Sequence, residues 1–439
     1  MITNVHLTGL ARDLAAREDA GKPIRIGVIG SGEMGTDLVT QASLMRGVEI
    51  SAIATRRPHT ALEAMRIAYG DESRGAEAET VSKATAAIEG GRIAITSAET
   101  LVTTPNIDVV IDATGKPGVA ADFDLLAMEH GKHVVMMNVE ADVTIGPYLK
   151  KEADRLGVVY SVGAGDEPSS CMELIEFASA LGYRIIAAGK GKNNALNHDA
   201  VPDDYREEAL RRNMNPRMLV EFVDGSKTMV EMCAIANATG LVPDVPGMHG
   251  PKADRDDMVK VLIPKEDGGI LNRKGVVDFT IGKGVAPGVF CIVEAEHPRI
   301  IERMDDLHVG VGPYYSFFRP YHLTSLEVPL TAARIMLYGK PDMVPLPNPV
   351  AEVCAVAKRD LKVGEMFDAI GETCYRSFTM TIEDARRSAA IPVGLLEGGR
   401  VTAPVKRGEL LTAENAAPDP STKLFALRRK QDEMLRERV

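Results

Sequence analysis

The sequence predicts an α/β protein that begins with a doubly wound parallel sheet and continues into an α+β domain and a small β-rich domain. Short β-branched runs alternate with helical patterns from Ile24 to about Gly189. A glycine-rich turn directly follows the first of these runs. Beyond residue 190 the strand periodicity weakens, and long loops rich in Asn, His, Lys and Pro begin. Because such loops are uncommon in compact domains unless they carry function, the substrate domain is expected there.

The elements are justified in chain order by their residue patterns. The predicted strands are IRIGVI (24–29), VEISAIA (48–54), RIAITS (92–97), IDVVIDA (107–113), KHVVMMN (132–138), GVVYSV (157–162) and YRIIAAG (183–189). Helical patterns separate most of them. The predicted domains are 1–165, 166–345 and, after a Pro-rich stretch, 346–439. In the last domain Leu424, Leu427 and Leu435 predict a helix that docks by one apolar edge, and a dimerisation arm is the alternative.

Composition narrows the class of protein. The chain has 439 residues and a net charge of -11, which argues against nucleic-acid or anionic-membrane partners because those demand clustered Lys and Arg. Its five cysteines are scattered, which favours reduced thiols in the cytoplasm. The N-terminal pattern is that of a charged amphipathic helix, so export is not expected. A homodimer is expected from general frequency alone.

A dinucleotide site is predicted at the glycine-rich turn. The motif follows a strand and opens a helix, so its glycines permit a tight turn and close approach of a pyrophosphate to the helix N-terminus. This context identifies a Rossmann domain. The residues of the motif are Gly30, Ser31, Gly32, Glu33, Met34 and Gly35.

NADPH is the predicted form of the cofactor. The second strand is followed by Thr55, Arg56 and Arg57, where an NAD-binding domain normally has an acidic residue for the ribose 2′-hydroxyl. Two guanidinium groups favour a 2′-phosphate instead. Later strands end at the same edge of the sheet, so Thr114, Gly115, Asn138 and Glu140 are expected to surround the nicotinamide. Glu140 has an alternative role as an acid at a helix N-terminus.

Nearly the whole chain resembles a known family. The segments GVIGSGEMG, DVVIDATGKPG, KHVVMMNVEADVTIGPYL, GAGDEPSSCMELIEFASALGYRIIAAGKGK and the block from AVAKRDLKVGEMFDAIG to VKRGELLT are similar to homoserine-dehydrogenase-like oxidoreductases that carry a C-terminal SAF domain. Within that group the chain looks most like the 1-deoxy-D-xylulose 5-phosphate reductoisomerase-like enzymes. It lacks the cofactor loop Gly-Ser-Thr-Gly-Ser-Ile-Gly and the Ser-Glu-His metal motif of the classical reductoisomerase.

The resemblance implies a reaction and its cofactors. It implies NADPH-dependent conversion of a phosphorylated ketose, 1-deoxy-D-xylulose 5-phosphate, to 2-C-methyl-D-erythritol 4-phosphate in isoprenoid precursor synthesis, with Mg²⁺ or Mn²⁺. An ordinary NAD(P)-dependent dehydrogenase of a small hydroxy acid or sugar-derived substrate is the alternative. A non-catalytic sensor that retains NADP is a third interpretation.

Catalytic and metal-binding residues are expected after two of the strands. Asp166 and Glu167 follow GVVYSV, and adjacent carboxylates can hold a divalent ion that polarises a ketone. Capping of the following helix is their alternative role. Lys190, Lys192 and Asn193 follow YRIIAAG and are expected to act in catalysis.

Substrate binding is expected from neighbouring loops. Asn194 continues the lysine-containing segment, and Arg319, Tyr321 and His322 lie in an aromatic stretch that can close over a phosphorylated substrate. The alternative is that these aromatics belong to a core or an interface. The loop with Asn237, Thr239 and His249 is a further candidate.

Overall fold

The computed structural model describes residues 6–212 and 214–437. The chain divides into two compact units, one formed by residues up to 166 together with 323–344, and the other by 167–322 together with 345–439. The division into three domains stays a prediction.

A parallel sheet forms the centre of the first unit, as the sequence predicts, and it has seven strands. The strands are β1 Ile24–Ile29, β2 Val48–Ala54, β3 Gly75–Glu77, β4 Ile93–Thr96, β5 Val109–Asp112, β6 His133–Met136 and β7 Tyr160–Val162. Their order is β3-β4-β2-β1-β5-β6-β7, so the direction of winding reverses between β1 and β5. Ligands of open α/β sheets bind at this switch point, outside the carboxyl ends of the strands. The short edge strand β3 has no counterpart among the predicted strands.

Helices cover this sheet and bury its apolar side chains. They are α1 Gly9–Asp19, α2 Glu33–Ser43, α3 Pro58–Tyr69, α4 Val81–Glu89, α5 Ala98–Thr103, α6 Pro117–Glu129, α7 Val139–Leu156 and, from a later part of the chain, α14 Val328–Tyr338. Val28 and Ile111 of the central strands share a buried core with Val328 and Ala332 of α14. The α/β prediction is confirmed, and the helix at 328–338 proves to be part of this first unit.

The second unit contains a mixed five-stranded sheet. Its strands are β8 Arg184–Lys192, β9 Val242–Pro243, β10 Val276–Ile281, β11 Val289–Glu294 and β12 Tyr314–Arg319, in the order β12-β11-β8-β10-β9. The prediction that the strand at 183–189 continues the first sheet is therefore wrong: β8 pairs with β10 and β11. A helix precedes β8 as it precedes each strand of the first sheet, and local pattern does not encode which sheet a strand joins.

Helices and two small antiparallel pairs complete the second unit. The helices are α8 Glu167–Ala180, α9 Arg206–Arg211, α10 Pro216–Val223, α11 Ser226–Thr239, α12 Met258–Val261, α13 Pro298–Asp306, α15 Ile382–Arg387 and α16 Lys423–Arg436. The pairs are β13 Ala351–Ala357 with β14 Tyr375–Thr381, and β15 Arg400–Val401 with β16 Ala416–Ala417. The C-terminal α16 docks as predicted, with Leu424, Leu427 and Leu435 buried.

Candidate functional site

The glycine-rich turn of the first unit has the geometry that a dinucleotide requires. Gly30 adopts a positive φ of 112°, and a Cβ there would lie 2.9 Å from the carbonyl oxygen of Ala113. A Cβ on Gly35 would lie 2.2 Å from the carbonyl oxygen of Gly30. Gly32 precedes α2 as its N-cap, and a Cβ there would meet nothing within 4 Å. Two glycines are therefore required by packing, while the third leaves space in front of a helix N-terminus.

Hydroxyl groups hold the turn against the segment that follows β2. Ser31 Oγ donates to Thr55 Oγ1 at 2.8 Å and is hydrogen-bonded to Thr60 Oγ1. Thr60 Oγ1 also donates to the carbonyl oxygen of Arg57 at 2.8 Å. Arg56 and Arg57 are exposed, and neither forms an ion pair within the described residues. Both guanidinium groups are available to an anion beside a rigid turn.

The segment after β5 is fixed by a buried carboxylate. Asp112 Oδ1 accepts hydrogen bonds from the backbone and hydroxyl of Thr114, at 2.9 and 2.6 Å. Asn138 Nδ2 donates to Asp112 Oδ2 at 2.9 Å and to the carbonyl oxygen of Lys116 at 2.8 Å. Burial raises the pKa of Asp112. Asn138 therefore orients the turn containing Thr114 and Gly115. The expected contact of Thr114, Gly115 and Asn138 with nicotinamide stays a prediction.

Glu140 lies in the first turn of α7 and is buried. This location agrees with its alternative role as an acid at a helix N-terminus. In the second unit a different set of charged side chains comes together.

A buried lysine lies between two carboxylates in the second unit. Lys190 of β8 forms ion pairs with Glu167 Oε1 at the start of α8 and with Glu231 Oε2 of α11. Glu231 is completely buried, and its Oε1 has no hydrogen-bond partner in the described chain. His322 Nε2 lies 3.4 Å from Glu167 Oε1. The four side chains form a continuous polar path into the interior of the unit.

Burial and mutual charge set the protonation of this cluster. Burial lowers the pKa of Lys190, but the charges of Glu167 and Glu231 outweigh it, and the resulting pKa is well above that of an ordinary lysine. Burial raises the pKa of Glu231 to about 7, and the charge of Glu167 adds to this rise. Lys190 is therefore protonated at neutral pH, and Glu231 is a carboxyl group that exchanges a proton near neutral pH.

The predicted metal site can be tested against these contacts. Asp166, joined to Glu167 by a peptide bond, offers a ligand atom within 4.8 Å of ligand atoms of Glu167 and His322. The donor types suit a divalent ion. However, Glu167 already binds the ammonium of Lys190, and a second cation on the same carboxylate would be repelled in this buried setting. The residues favour the lysine as the cation of this cluster, so we derive no metal-dependent step.

Lys192 lies on the same strand in a different environment. It is buried, and its Nζ donates to the carbonyl oxygen of Phe222 at 2.8 Å. Burial lowers its pKa to about 8, and the charge of Lys190 contributes. Asn193 is exposed and Asn194 half-buried in the loop that follows. The structure thus separates two lysines that the sequence treats alike.

The aromatic segment begins with the edge strand β12, and Tyr321 and His322 lie in the loop that follows it. Arg319, the last residue of β12, donates to Ser170 Oγ at 2.9 Å and pairs with Glu173 at 3.1 Å. Its guanidinium carbon lies 4.8 Å from the ring centre of Tyr321, which is half exposed. Arg319 therefore already has a carboxylate partner, which weakens its expected role as a phosphate clamp.

The prediction of a further candidate loop is wrong for Asn237 and Thr239, which lie in the last turn of α11, and all three residues of this candidate make structural contacts. Asn237 Oδ1 accepts from the backbone of Val350 and Ala351, both at 2.9 Å. Thr239 Oγ1 donates to the carbonyl oxygen of Ile235 within α11. His249 Nε2 lies 2.7 Å from Asp244 Oδ2. These contacts fix backbone segments, and the sequence gives no sign of them.

Sequence reasoning missed Glu231. Its helix, SKTMVEMCAIANAT, is buried along most of its length, and a charged residue in such a helix is the signal that would have identified it.

Comparisons with known proteins match two family models to successive parts of the chain. Residues 26–162 match the family model of the homoserine dehydrogenase NAD binding domain, and residues 165–328 match that of the oxidoreductase DRL catalytic domain. The chain is accordingly an oxidoreductase with a nicotinamide-dinucleotide-binding domain. A search of curated proteins finds no match.

Solved structures are similar to this chain at low identity. A probable dehydrogenase from Thermotoga maritima is 16% identical, with a TM-score of 0.42, over 72% of this chain and 90% of that one. Scyllo-inositol dehydrogenase from Lactobacillus casei is 15% identical, with a TM-score of 0.37, over 68% and 76%. A 3-ketoreductase from Actinomadura kijaniata is 15% identical, with a TM-score of 0.35, over 72% and 90%. These likenesses concern the fold and carry no argument about substrate.

Proposed function

We propose that this protein is an NADP(H)-dependent dehydrogenase that interconverts a ketone and a secondary alcohol on a small hydroxy-acid or sugar-derived substrate. The observation that carries the proposal is the ammonium of Lys190, buried between Glu167 and Glu231. A hydride reaction needs a group that stabilises negative charge on the reacting oxygen and supplies its proton. Lys190 meets both needs.

NADP(H) supplies the hydride, and the chain's residues handle the cofactor and the proton. The turn from Gly30 to Gly35 binds the pyrophosphate at the N-terminus of α2. Arg56 and Arg57 bind the 2′-phosphate, which distinguishes NADP from NAD. During reduction, Lys190 donates a hydrogen bond to the carbonyl oxygen and then its proton to the alkoxide. Glu231, which exchanges a proton near neutral pH, restores the proton on Lys190.

Reductoisomerisation of 1-deoxy-D-xylulose 5-phosphate is the second candidate. The match of residues 165–328 to the oxidoreductase DRL catalytic domain favours it. The contact between Glu167 and Lys190 speaks against it, because the expected divalent ion would compete with the lysine for that carboxylate. A dehydrogenase without skeletal rearrangement therefore agrees better with the site.

The test is NADPH oxidation, followed by its absorbance, with the purified full-length protein. The substrates are a panel of keto acids and keto sugars, and 1-deoxy-D-xylulose 5-phosphate with and without Mn²⁺. We expect turnover of a member of the panel without added metal. Turnover of the deoxyxylulose phosphate to a branched product would establish the second candidate. NADPH binding with no turnover of any compound would support a sensor and contradict both enzymatic proposals.

A paired variant tests the role of Lys190. Lys190→Met alone would leave two buried carboxylates without their counter-ion, so it is combined with Glu231→Gln. The double variant should lose about 10²- to 10⁴-fold in kcat, the range for removal of a general acid. NADPH affinity, measured by fluorescence, should stay unchanged and serves as the control. Wild-type kcat in the double variant would remove Lys190 from the mechanism.

A further inference from the structure

We propose that Lys192 binds an anionic group of the substrate, a carboxylate or a phosphate, carried a few bonds from the oxygen that Lys190 contacts. The inference rests on the proposed role of Lys190 and deepens it, because it specifies the chemical class of the substrate. It follows from the direction, burial and surroundings of the Lys192 side chain.

The strand directs both lysines to one side of the sheet. Residues two apart in a strand point to the same face and lie about 7 Å apart. The intervening Gly191 faces the other side, where a Cβ would lie 2.2 Å from the carbonyl oxygen of Val285. Lys190 and Lys192 are therefore neighbours on one face of β8. A substrate whose reacting oxygen contacts the first lysine presents its next few atoms to the second.

Among the described residues, Lys192 lacks the counter-ion that the other buried cations of this unit, Lys190, Lys358 and Arg428, possess. It is only 5% exposed, and its ammonium has no ion pair within the described residues. By contrast, the equally buried Lys358 pairs with Asp224 at 2.7 Å and donates to two backbone carbonyls. The carbonyl of Phe222, near the end of α10, offers Lys192 only part of a negative charge. A buried ammonium in this state is stabilised by an arriving anion.

The charges around Lys192 also favour an anion. The charged groups that influence it are Lys190 on its own strand, Glu167 on α8, Glu231 on α11 and Asp224 after α10. Both glutamates are bound to Lys190, and Asp224 is bound to Lys358. On the neighbouring strand β10 the residue opposite Lys192 is the apolar Ile281. Each of these neighbouring charges therefore already has a partner, and the ammonium of Lys192 is the charge that they leave uncompensated at this face.

Proton uptake should accompany anion binding. Burial and Lys190 lower the pKa of Lys192 to about 8, so part of the population is neutral near that pH. A bound anion favours the charged form and raises this pKa. Affinity for the anion should therefore fall as the pH rises above about 8, by up to tenfold per pH unit.

Calorimetric titration of the NADPH-saturated, full-length protein tests the inference. The probes are inorganic phosphate and oxamate, titrated separately, so that the two possible sources of the anionic group are distinguished. Lys192→Met should weaken binding of the preferred probe about ten- to hundredfold, the range for a hydrogen bond to a charged group. Repetition in buffers of different ionisation enthalpy measures the proton uptake, a readout that a purely structural lysine would not change.

The matched control is Lys132→Met in the first unit. Lys132 is equally buried, its Nζ donates to one backbone carbonyl, that of Ile107, and burial lowers its pKa. This variant should bind the probe as the wild type does. Lys192→Gln provides a second variant in case Lys192→Met fails to fold.

Each outcome decides one proposal. The inference is overturned if neither probe binds, or if the wild type and the Lys192 variants bind the probe with equal affinity. Binding that depends on Lys192 in a protein that oxidises no NADPH would refute the proposed dehydrogenase activity and leave the anion site standing. Oxidation of NADPH together with unchanged anion affinity in the Lys192 variants would refute the anion site and leave the proposed dehydrogenase activity standing.

Discussion

At the scale of single residues, this molecule is distinguished by its buried charged side chains. Lys190, Lys358 and Arg428 are each buried against a carboxylate, and the last of these ties α16 to Glu352 of β13. Asp124 of α6 differs from them, since it is fully buried and neither carboxyl oxygen has a hydrogen-bond partner in the described chain. Burial holds the pKa of Asp124 well above the ordinary 3.8, and the charge of Asp112 adds to the effect.

Replacement of Asp124 by Asn should change the dependence of stability on pH. The folded state binds the Asp124 proton more tightly than the unfolded state, so this residue's contribution is fully present below about pH 3.8 and is lost as the pH rises toward the folded-state pKa. Asp124→Asn removes this loss, and near pH 8 it should unfold with a free energy about 1–3 kcal/mol higher than the wild type. Denaturant unfolding of Asp124→Asn and the wild type at several pH values measures this difference in free energy.

The control for this experiment is Asp122→Asn, on the same helix and exposed. Its difference from the wild type should not grow with pH. A gap between Asp124→Asn and the wild type that stays constant from about pH 4 to pH 8 would contradict the assignment.

Among the elements, the turn between β1 and α2 contains two glycines, Gly35 and Gly32, that are needed for different reasons. Gly35→Ala would bring a Cβ against the backbone of Gly30 and should lower the free energy of unfolding of the cofactor-free protein by about 1–3 kcal/mol. Gly32→Ala meets no protein atom and should leave that stability unchanged. It should nonetheless weaken NADPH binding, because its methyl group enters the space that the pyrophosphate approaches. Thermal unfolding measures the stability of the two variants, and fluorescence titration measures their binding of NADPH. Equal stability of the two variants would disprove the distinction.

The segment between β2 and α3 should determine cofactor preference. Simultaneous replacement of Arg56 and Arg57 by Ala should raise the Kd for NADPH about ten- to hundredfold and leave that for NADH unchanged, because only NADPH carries the 2′-phosphate. Arg66→Ala is the matched control, an exposed arginine on α3 that pairs with Glu63. If the double variant loses both cofactors equally, the arginines act on a part of the dinucleotide that NADH shares.

For the whole molecule, the proposed function divides the chemistry between the two units. The first carries the dinucleotide motif, and the second carries the lysine cluster. Residues 323–344 return to the first unit after the second sheet is complete, so the order of the sequence is not the order of the units. No helix of the described chain is both long and apolar enough to cross a membrane. Cytoplasmic location and a homodimer stay predictions, as does the SAF-like assignment of 346–439.

Metal removal tests the whole enzyme. Dialysis against EDTA should leave NADPH-dependent turnover unchanged, since the ammonium of Lys190 occupies the carboxylate that a divalent ion would need. Steady-state rates before and after chelation, and after addition of Mn²⁺, measure this. A loss of activity that Mn²⁺ restores would place a metal among Asp166, Glu167 and His322, and would revive the reductoisomerase candidate.

The sequence alone determined most strands of the first sheet and its cofactor motif. Strands such as Ile24–Ile29 and the turn at Gly30 to Gly35 depend on local periodicity and on glycine's freedom, which adjacent residues encode. It also identified candidate site residues at the ends of predicted strands, namely Asp166, Glu167, Lys190 and Lys192.

The sequence did not predict which distant segments of the chain pair with one another. Only tertiary structure assigned β8 to the second sheet, buried Glu231 against Lys190, and left Lys192 without a counter-ion among the residues that the structure describes. These outcomes depend on contacts between residues as far apart as Lys190 and Glu231, and no local pattern records them. The physical reason is that burial and charge pairing are properties of a packed interior, whereas periodicity is a property of the chain.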